Sequence, residues 1–303
     1  MSAKKSIPSK IIREIIRPIK QFFGLLFFKL PTIYRETLRY IRFSNVDHTD
    51  FRGKFHTFKE AMDSAPKNAS KRGQLYKDAL LPSVEEVSSQ MHTRKVRHTE
   101  YPMFFWLNMI AKSYKGTDLS VLDFGGVYGA HYFSFINTIK LLDSNHCLTE
   151  KLKWQVVEVP RQVELGKKIA KTLDIKNLNF MTDIMDVKTH NVLISSSAFQ
   201  YIENLFDLLK GYFLNANGGG GAEHIIVTDF QFTNENTFVT LQNVRNEFYT
   251  PFLIFNEKEF IEFFESFGYE VVDIWDIPYL TSIKLPFHRD YIYSKGIYFK
   301  KRF

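Results

Sequence analysis

The stretch SVLDFGGVYGAHYFSF, residues 120–135, decides the fold. Its first part is an apolar run that ends in an acid and two glycines, the pattern of a buried strand meeting a tight turn. Two readings are open for the turn. It is either an ordinary structural corner or a glycine loop that lets backbone approach a ligand closely, with the free N–H groups of the next helix beside it. The rest of the chain bears on the choice.

From residue 119 onward, strands and helices alternate. After LSVLDFGG come the strand WQVVEVP, the helix RQVELGKKIAKTL, the strands NLNFMTDI and NVLISSSAF, and the helix YIENLFDLLKGYFL. HIIVTDFQF is a fifth strand, preceded by GGGG. NEKEFIEFFESFGYE is an amphipathic helix leading into VVDIWDIP, and GIYFKKRF closes the chain as a last strand. Near-continuous Val/Ile/Leu runs separated by helices predict a mostly parallel sheet covered on both faces. The expected class is therefore α/β, a Rossmann-like doubly wound sheet of seven strands with an N-terminal helical extension. Upstream, DFRGKFHTFKEAMDSA is expected as a turn entering a short helix. SVEEVSSQMHTRKVRHTE carries Ser83 as an N-cap with Glu86 as its capping-box partner. YPMFFWLNMIAKSYKG is expected as a mostly buried helix that Gly116 ends. The expected divisions are an N-terminal arm over 1–50, a helical cap over 51–117 and the Rossmann-like domain over 118–303.

Composition sets limits on function. The chain has 303 residues, 45% hydrophobic and 24% charged, which suits a globular protein with a sizeable core. An aromatic share of 16% points to bulky cores or a lined pocket. Cys147 is the single cysteine, so internal disulfides and multi-cysteine metal sites are excluded. The net charge of +7 is concentrated at one end: residues 1–42 hold ten Lys or Arg against Glu14 and Glu36, a balance of +8 that leaves −1 for the remainder. A neutral body argues against a broad nucleic-acid surface. The arm, IIREIIRPIKQFFGLLFFKLPTIYRETLRYIRF, has no apolar run near the roughly 20 residues a membrane span needs. No small-residue cleavage site follows it, which speaks against a secretory signal. Its alternating basic and bulky apolar residues fit a helix at an anionic membrane surface, a helix packed on its own domain, or a site for an anionic partner.

In doubly wound sheets, ligands bind beyond the carboxyl ends of the strands where the strand order reverses. Asp123, Gly125, Gly126 and Gly129 fall there. Glu158 ends the second strand, where a carboxylate matches the vicinal hydroxyls of a ribose. Asp183 ends the third, where it either accepts from an exocyclic amine of adenine or caps the next turn. Three acids after three successive strands raise the case for a nucleotide-type ligand. His131, two residues beyond the last glycine, is the best-placed imidazole for proton transfer, with His98, Tyr101 and Tyr201 also within reach. His190 and His224 read as loop residues, and His288 as part of a C-terminal loop. Phe248 and Tyr249 lie in an aromatic block, NVRNEFYTPFLIF, that either packs in the core or stacks on an acceptor ring.

These residues carry a resemblance. An acid followed by a glycine-rich loop, with acids after strands two and three, resembles the layout of class I S-adenosylmethionine-dependent methyltransferases. More narrowly, VLDFGGVYGAHYF, WQVVEVPRQVELGKK, LNFMTDI, SSSAFQYIEN and FVTLQNV look like blocks of a methyltransferase family met in bacterial gene clusters for surface polysaccharides such as O-antigen. The matching blocks run from about Phe51 to the C-terminus. The resemblance implies that Asp123, Gly125, Gly126 and Gly129 surround the methionine part of the cofactor, Glu158 its ribose, and Asp183 with Ile184 its adenine. It further implies that Ser195, Ser196 and Gln200 face the transferred methyl and the acceptor; with the positional candidates, Gln200, Tyr201 and His131 are the expected catalytic groups. One departure stands out: Val127 occupies the place of the middle glycine in the usual G-x-G-x-G loop.

The sequence thus leads to an S-adenosylmethionine-dependent methyltransferase of cytoplasmic location, peripheral to the membrane through residues 1–42. Its acceptor would be a small-molecule or lipid-linked sugar, methylated on oxygen; no metal and no nucleic acid are expected. Two other classes compete. A nicotinamide-dependent oxidoreductase would carry G-x-G-x-x-G, which glycines at 125, 126 and 129 match poorly, and a cofactor-free relative would serve as a scaffold.

Overall fold

In the computed structural model of the chain, the described residues are 49–66, 82–91, 93–114, 118–142, 151–187, 190–214, 221–244, 248–277 and 292–302, with a few more within 32–43 and 283–286. The basic arm up to residue 31, Cys147 and His288 lie outside them.

The first strand of the α/β unit, β2 (Leu119–Phe124), is buried along nearly its whole length. Its neighbours β3 (Leu152–Val157) and β5 (Val192–Ser196) flank it on opposite sides, both parallel. Beyond β3 lies β4 (Leu178–Met181), and beyond β5 lies β6 (His224–Thr233), again parallel. Antiparallel to β6 runs β10 (Ile292–Lys301), which pairs in turn with β9 (Tyr269–Asp276). The order β4-β3-β2-β5-β6-β10-β9 is the expected seven-stranded doubly wound sheet, and its order reverses between β2 and β5.

Three further strands extend the sheet to ten. β7 (Phe238–Val244) and β8 (Phe248–Asn256) form an antiparallel pair, and β1 (Asp50–Phe55) joins the outer edge of β7. The count of seven is thereby corrected, and part of the segment expected as a purely helical cap is a strand. DFRGKF conceals its strand character because Gly53 and alternating basic residues read as a turn, whereas the register breaks at Gly53 (φ 80°) and then resumes at Phe55. β8 meets β6 only at Phe232 and Thr233, whereas β5 meets β6 from His224 to Thr228. One edge of β6 is therefore shared between two neighbours, with Asp229–Gln231 between them.

Helices cover both faces. On one lie α2 (Val84–Met91), α3 (Tyr101–Ser113), α4 (Ala130–Leu142) and α5 (Pro160–Thr172), around Trp154, Val156 and Ile194. Ser83 Oγ accepts from Glu86 N at 3.1 Å, so the expected N-cap forms. On the other lie α1 (Phe58–Asp63), α6 (Leu205–Leu214) and α7 (Glu257–Ser266). α3 packs against β6 and β10 as part of the sandwich. It is only partly buried: Tyr101, Phe105 and Met109 stand exposed along one side. The aromatic surplus goes largely into the second face, where the Phe260 ring meets Phe230, Phe232, Phe255, Phe264 and Phe299. Truncating so central a ring to alanine costs about 3–5 kcal/mol in comparable cores.

Candidate functional site

The carboxyl ends of β2, β3, β4, β5 and β6 bring the sequence-predicted residues to one edge of the sheet. The loop after β2 is built on close approach. Gly125 adopts φ 77°, and a Cβ there would lie 2.2 Å from the Cβ of Ala198, so the loops after β2 and β5 touch. Gly126 is needed for a different reason: a Cβ would lie 2.2 Å from Asp123 Oδ2. The loop rests directly on that carboxylate.

Asp123 lies beneath the loop, fully buried. Trp154 Nε1 donates to its Oδ2 at 3.2 Å, and His131 Nδ1 lies 3.1 Å from both oxygens. His131 is turned inward with it, 4% exposed, and its Nε2 lies 3.9 Å from Glu100 Oε1. Its imidazole lies between two buried carboxylates. Glu100, in the single 3-10 turn His98–Glu100, also takes Arg94 at 2.9 Å and Arg97 at 2.7 Å, while Arg94 Nε donates to the Ala130 carbonyl. The segment before α3 is thus pinned to the first turn of α4. The sequence reading missed Arg94, Arg97 and Glu100, which carry no motif.

Val127 adopts φ 54°, the left-handed conformation that a glycine would take at that place. Its N–H donates to Glu158 Oε1 at 3.2 Å, and Val159 N donates to Oε2 at 2.8 Å. Burial pushes the Glu158 carboxyl above its usual range, opposed by these two backbone donors, while the Asp123 charge pushes it further up. Each Glu158 oxygen keeps a second lone pair. The carboxylate and the glycine loop are in direct contact. Asp183 is exposed and caps the turn Ile184–Asp186 by accepting from Met185 N at 2.8 Å, while Ile184 is buried beneath it.

At the end of β5, Ser196 and Ser197 are half-buried, and Ser197 adopts φ 53° while donating its N–H to the Thr228 carbonyl at 3.0 Å. Ser195 Oγ and Gln200 Oε1 are buried without a hydrogen-bond partner. Gln200 Nε2 donates to the Asp229 carbonyl at 2.9 Å and to Gln231 Oε1 at 3.0 Å. Tyr201 donates to Gln242 Oε1 at 3.1 Å and stands edge-on to Phe252, which ties the end of β5 to the β7–β8 pair. Asp229, in the middle of β6, adopts φ 62° and has its carboxyl raised above the usual range by burial, countered by the Gln231 side chain and the Arg97 charge.

Among the described residues, four non-glycine positions have positive φ: Val127, Asp174, Ser197 and Asp229. Asp174 follows the end of α5, an ordinary place for it. The other three follow β2, follow β5 and interrupt β6, three strands adjacent in the sheet. Strain of this kind costs on the order of 1–3 kcal/mol per residue and gathers where function holds it.

The remaining candidates lie elsewhere. His98 and Tyr101 are exposed, Tyr249 is core against Phe43, and Phe248 starts β8 half-buried. His224 is not a loop residue: it begins β6, buried, and its Nδ1 lies 2.8 Å from the Tyr298 hydroxyl. Burial holds its imidazole below the usual range and pushes Tyr298 up to about 12. His190 is buried just before β5. Among the described residues, no group of three or more His, Cys, Asp or Glu could hold a metal ion, and no helix is long and apolar enough to cross a membrane.

No protein-family model matches the chain, and no curated protein does. Solved structures do resemble it. An S-adenosylmethionine-dependent methyltransferase from Clostridium acetobutylicum is 14% identical at a TM-score of 0.40, covering 72% of this chain and 97% of its own. The magnesium protoporphyrin IX methyltransferase of Synechocystis, solved with bound S-adenosylmethionine, is 13% identical at 0.43, covering 76% and 88%. The 1,6-didemethyltoxoflavin N1-methyltransferase of Burkholderia thailandensis is 13% identical at 0.40, covering 75% and 93%. Likenesses of that size assign no residue and no substrate.

Proposed function

We propose that the chain is a methyltransferase that uses S-adenosylmethionine and methylates an oxygen of a sugar or glycan precursor. The observation that carries the reading is the contact between Glu158, after β3, and the backbone of Val127, after β2, the strand that borders the reversal of strand order. It sets a carboxylate with free lone pairs directly against a glycine loop, which suits the ribose of an adenosine-bearing ligand. The departure at Val127 does not spoil the loop, because valine there takes the conformation that glycine would.

The bound cofactor would supply a methyl group on a positively charged sulfur. Every other part falls to the chain. The Glu158 oxygens accept the two ribose hydroxyls. The remaining lone pairs of Asp183 accept from the adenine amine, with Ile184 packed beneath. Gly125, Gly126 and Gly129 let the backbone close on the methionine part. Ser195, Ser196, Gln200 and Tyr201 line the approach of the acceptor. In-line displacement at a sulfonium gains much of its rate from positioning and from exclusion of water, so a rigid edge suits it. The acceptor, whether a free or lipid-linked sugar, and a role in surface-polysaccharide synthesis rest on the sequence resemblance. So does a cytoplasmic enzyme held near an anionic membrane through residues 1–42.

Isothermal calorimetry with S-adenosylhomocysteine tests the reading. Micromolar binding that Glu158→Ala weakens at least tenfold supports it. Binding of NAD instead, or no binding of either nucleotide, rejects it.

A further inference from the structure

Asp229 is the one residue of β6 that is not fully buried. On either side of it, Val227 and Phe230 both point into the same core cluster, although they are three positions apart. A strand alternates its side chains, so one extra residue has been accommodated at Thr228–Asp229. The partner strand shows the same fault: Lys295 pairs with Phe230 but Ile297 with Val227. This is a β-bulge whose left-handed position, ordinarily glycine, holds an aspartate. Bulges of this kind re-aim a side chain. Here they do so where β6 has left β5 and not yet met β8, beside Ser197, whose own backbone is left-handed.

The carboxyl group is held but not used up. Gln231 Nε2 reaches its Oδ1 at 3.4 Å while also donating to Ser294 Oγ at 3.2 Å. Gln200 fixes the Asp229 carbonyl, which neither neighbouring strand pairs. The groups facing Asp229 from the surrounding elements are Gln200 after β5, Gln231 on its own strand, Ser294 on β10 through Gln231, and Arg97 from the segment before α3. Arg97 is already paired with Glu100.

We propose that Asp229 is the general base for the acceptor hydroxyl. Its carboxylate oxygen takes the proton as the acceptor oxygen forms its bond to the methyl carbon. The carbon–sulfur bond breaks, its electron pair stays on sulfur, and the sulfonium becomes a neutral thioether. The proton then leaves Asp229 for water. The elevated affinity of this carboxyl for a proton suits the task, because a base works best when its pKa approaches the working pH. The inference rests on the methyltransferase reading for the identity of the methyl donor.

The experiment uses full-length protein, methyl-labelled S-adenosylmethionine and a panel of neutral p-nitrophenyl hexosides as acceptors. Wild type is expected to transfer label at a rate that climbs with pH and then levels. Asp229→Asn is expected to lose at least about 100-fold in rate and the climbing limb, as removal of a general base does. Its affinity for S-adenosylhomocysteine stays within twofold of wild type. Asp229→Gly is expected to be as inactive yet to melt about 2 °C higher, since glycine accepts the backbone conformation without strain. A rate for Asp229→Asn within tenfold of wild type, or the same climbing limb, overturns the proposal. So does a lower melting point for Asp229→Gly, which would make the side chain structural. No transfer by wild type to any hexoside while S-adenosylhomocysteine binds overturns it as well. Failure of wild type to bind S-adenosylhomocysteine at all is the separate outcome that removes the methyltransferase reading.

Discussion

Val127 offers a stability measurement whose sign is unusual. At most positions alanine is more stabilising than glycine by about 0.4–1 kcal/mol, because glycine gains freedom in the unfolded chain. In the left-handed region the order reverses, since an L-residue with a Cβ pays about 1–2 kcal/mol there. Val127 sits at φ 54° and is half-buried. Replacing it by alanine keeps that strain and forfeits part of the side-chain burial, a loss of about 1 kcal/mol. Replacing it by glycine forfeits slightly more burial and about 0.5–1 kcal/mol of unfolded-state entropy, but relieves the 1–2 kcal/mol of strain. The balance puts Val127→Gly near wild type and Val127→Ala about 1 kcal/mol below it, or roughly 2 °C in melting temperature for a chain of this size. Differential scanning calorimetry of the three proteins, with urea midpoints as a check, reads the order. Alanine more stable than glycine by 0.5 kcal/mol or more would refute the reasoning, because Val127 could not then hold a left-handed backbone in solution.

Gly126→Ala drives a methyl group into the clamped Asp123 carboxylate and is expected to cost about 3 kcal/mol, the upper end for overpacking; a wild-type denaturation midpoint would mean the carboxylate lies elsewhere. His131→Ala removes a buried hydrogen-bond partner of Asp123, and the expected loss is about 1–3 kcal/mol, read as a fall in the urea midpoint. The raised carboxyls of Glu158 and Asp229 make folding least favourable for their ionised forms. For an acid whose pKa rises on folding, the stabilisation is complete below the unfolded value and is lost as pH climbs through the folded one. The melting temperature of Glu158→Gln relative to wild type is therefore expected to rise between pH 4 and pH 7; a flat difference would show that Glu158 titrates normally.

The α/β half of the fold was legible because its strands are buried on both faces and read as unbroken apolar runs. LSVLDF and NVLISS could be nothing else once helices were found between them. The three added strands were not legible. FVTLQNV mixes threonine, glutamine and asparagine with apolar residues, and FYTPFLIF carries Pro251 inside a strand, where the missing N–H argues against that assignment. At the candidate site, the spacing after a strand pointed to Glu158 and the glycines, which the fold brings into contact at one sheet edge. It did not point to Asp229, although an acid inside the apolar run HIIVTDFQF was a visible signal of the same kind as Asp123 in LSVLDFGG. His131 shows the limit of spacing arguments. Its place after the loop suggested chemistry, but its orientation is set by Asp123 and Glu100, and Glu100 lies thirty-one positions upstream where no motif marks it.

Because β6 changes neighbour part-way along one edge, the β7–β8 hairpin shares backbone pairing with the parallel strands only at Phe232 and Thr233, with Tyr201 as a side-chain tie. No ladder joins the hairpin to β2 or β5. The junction at Phe232 lies three residues beyond the Asp229 bulge on the same strand. β1, β7 and β8 thus form an antiparallel extension whose backbone pairing leaves the parallel strands β2, β3 and β4 undisturbed.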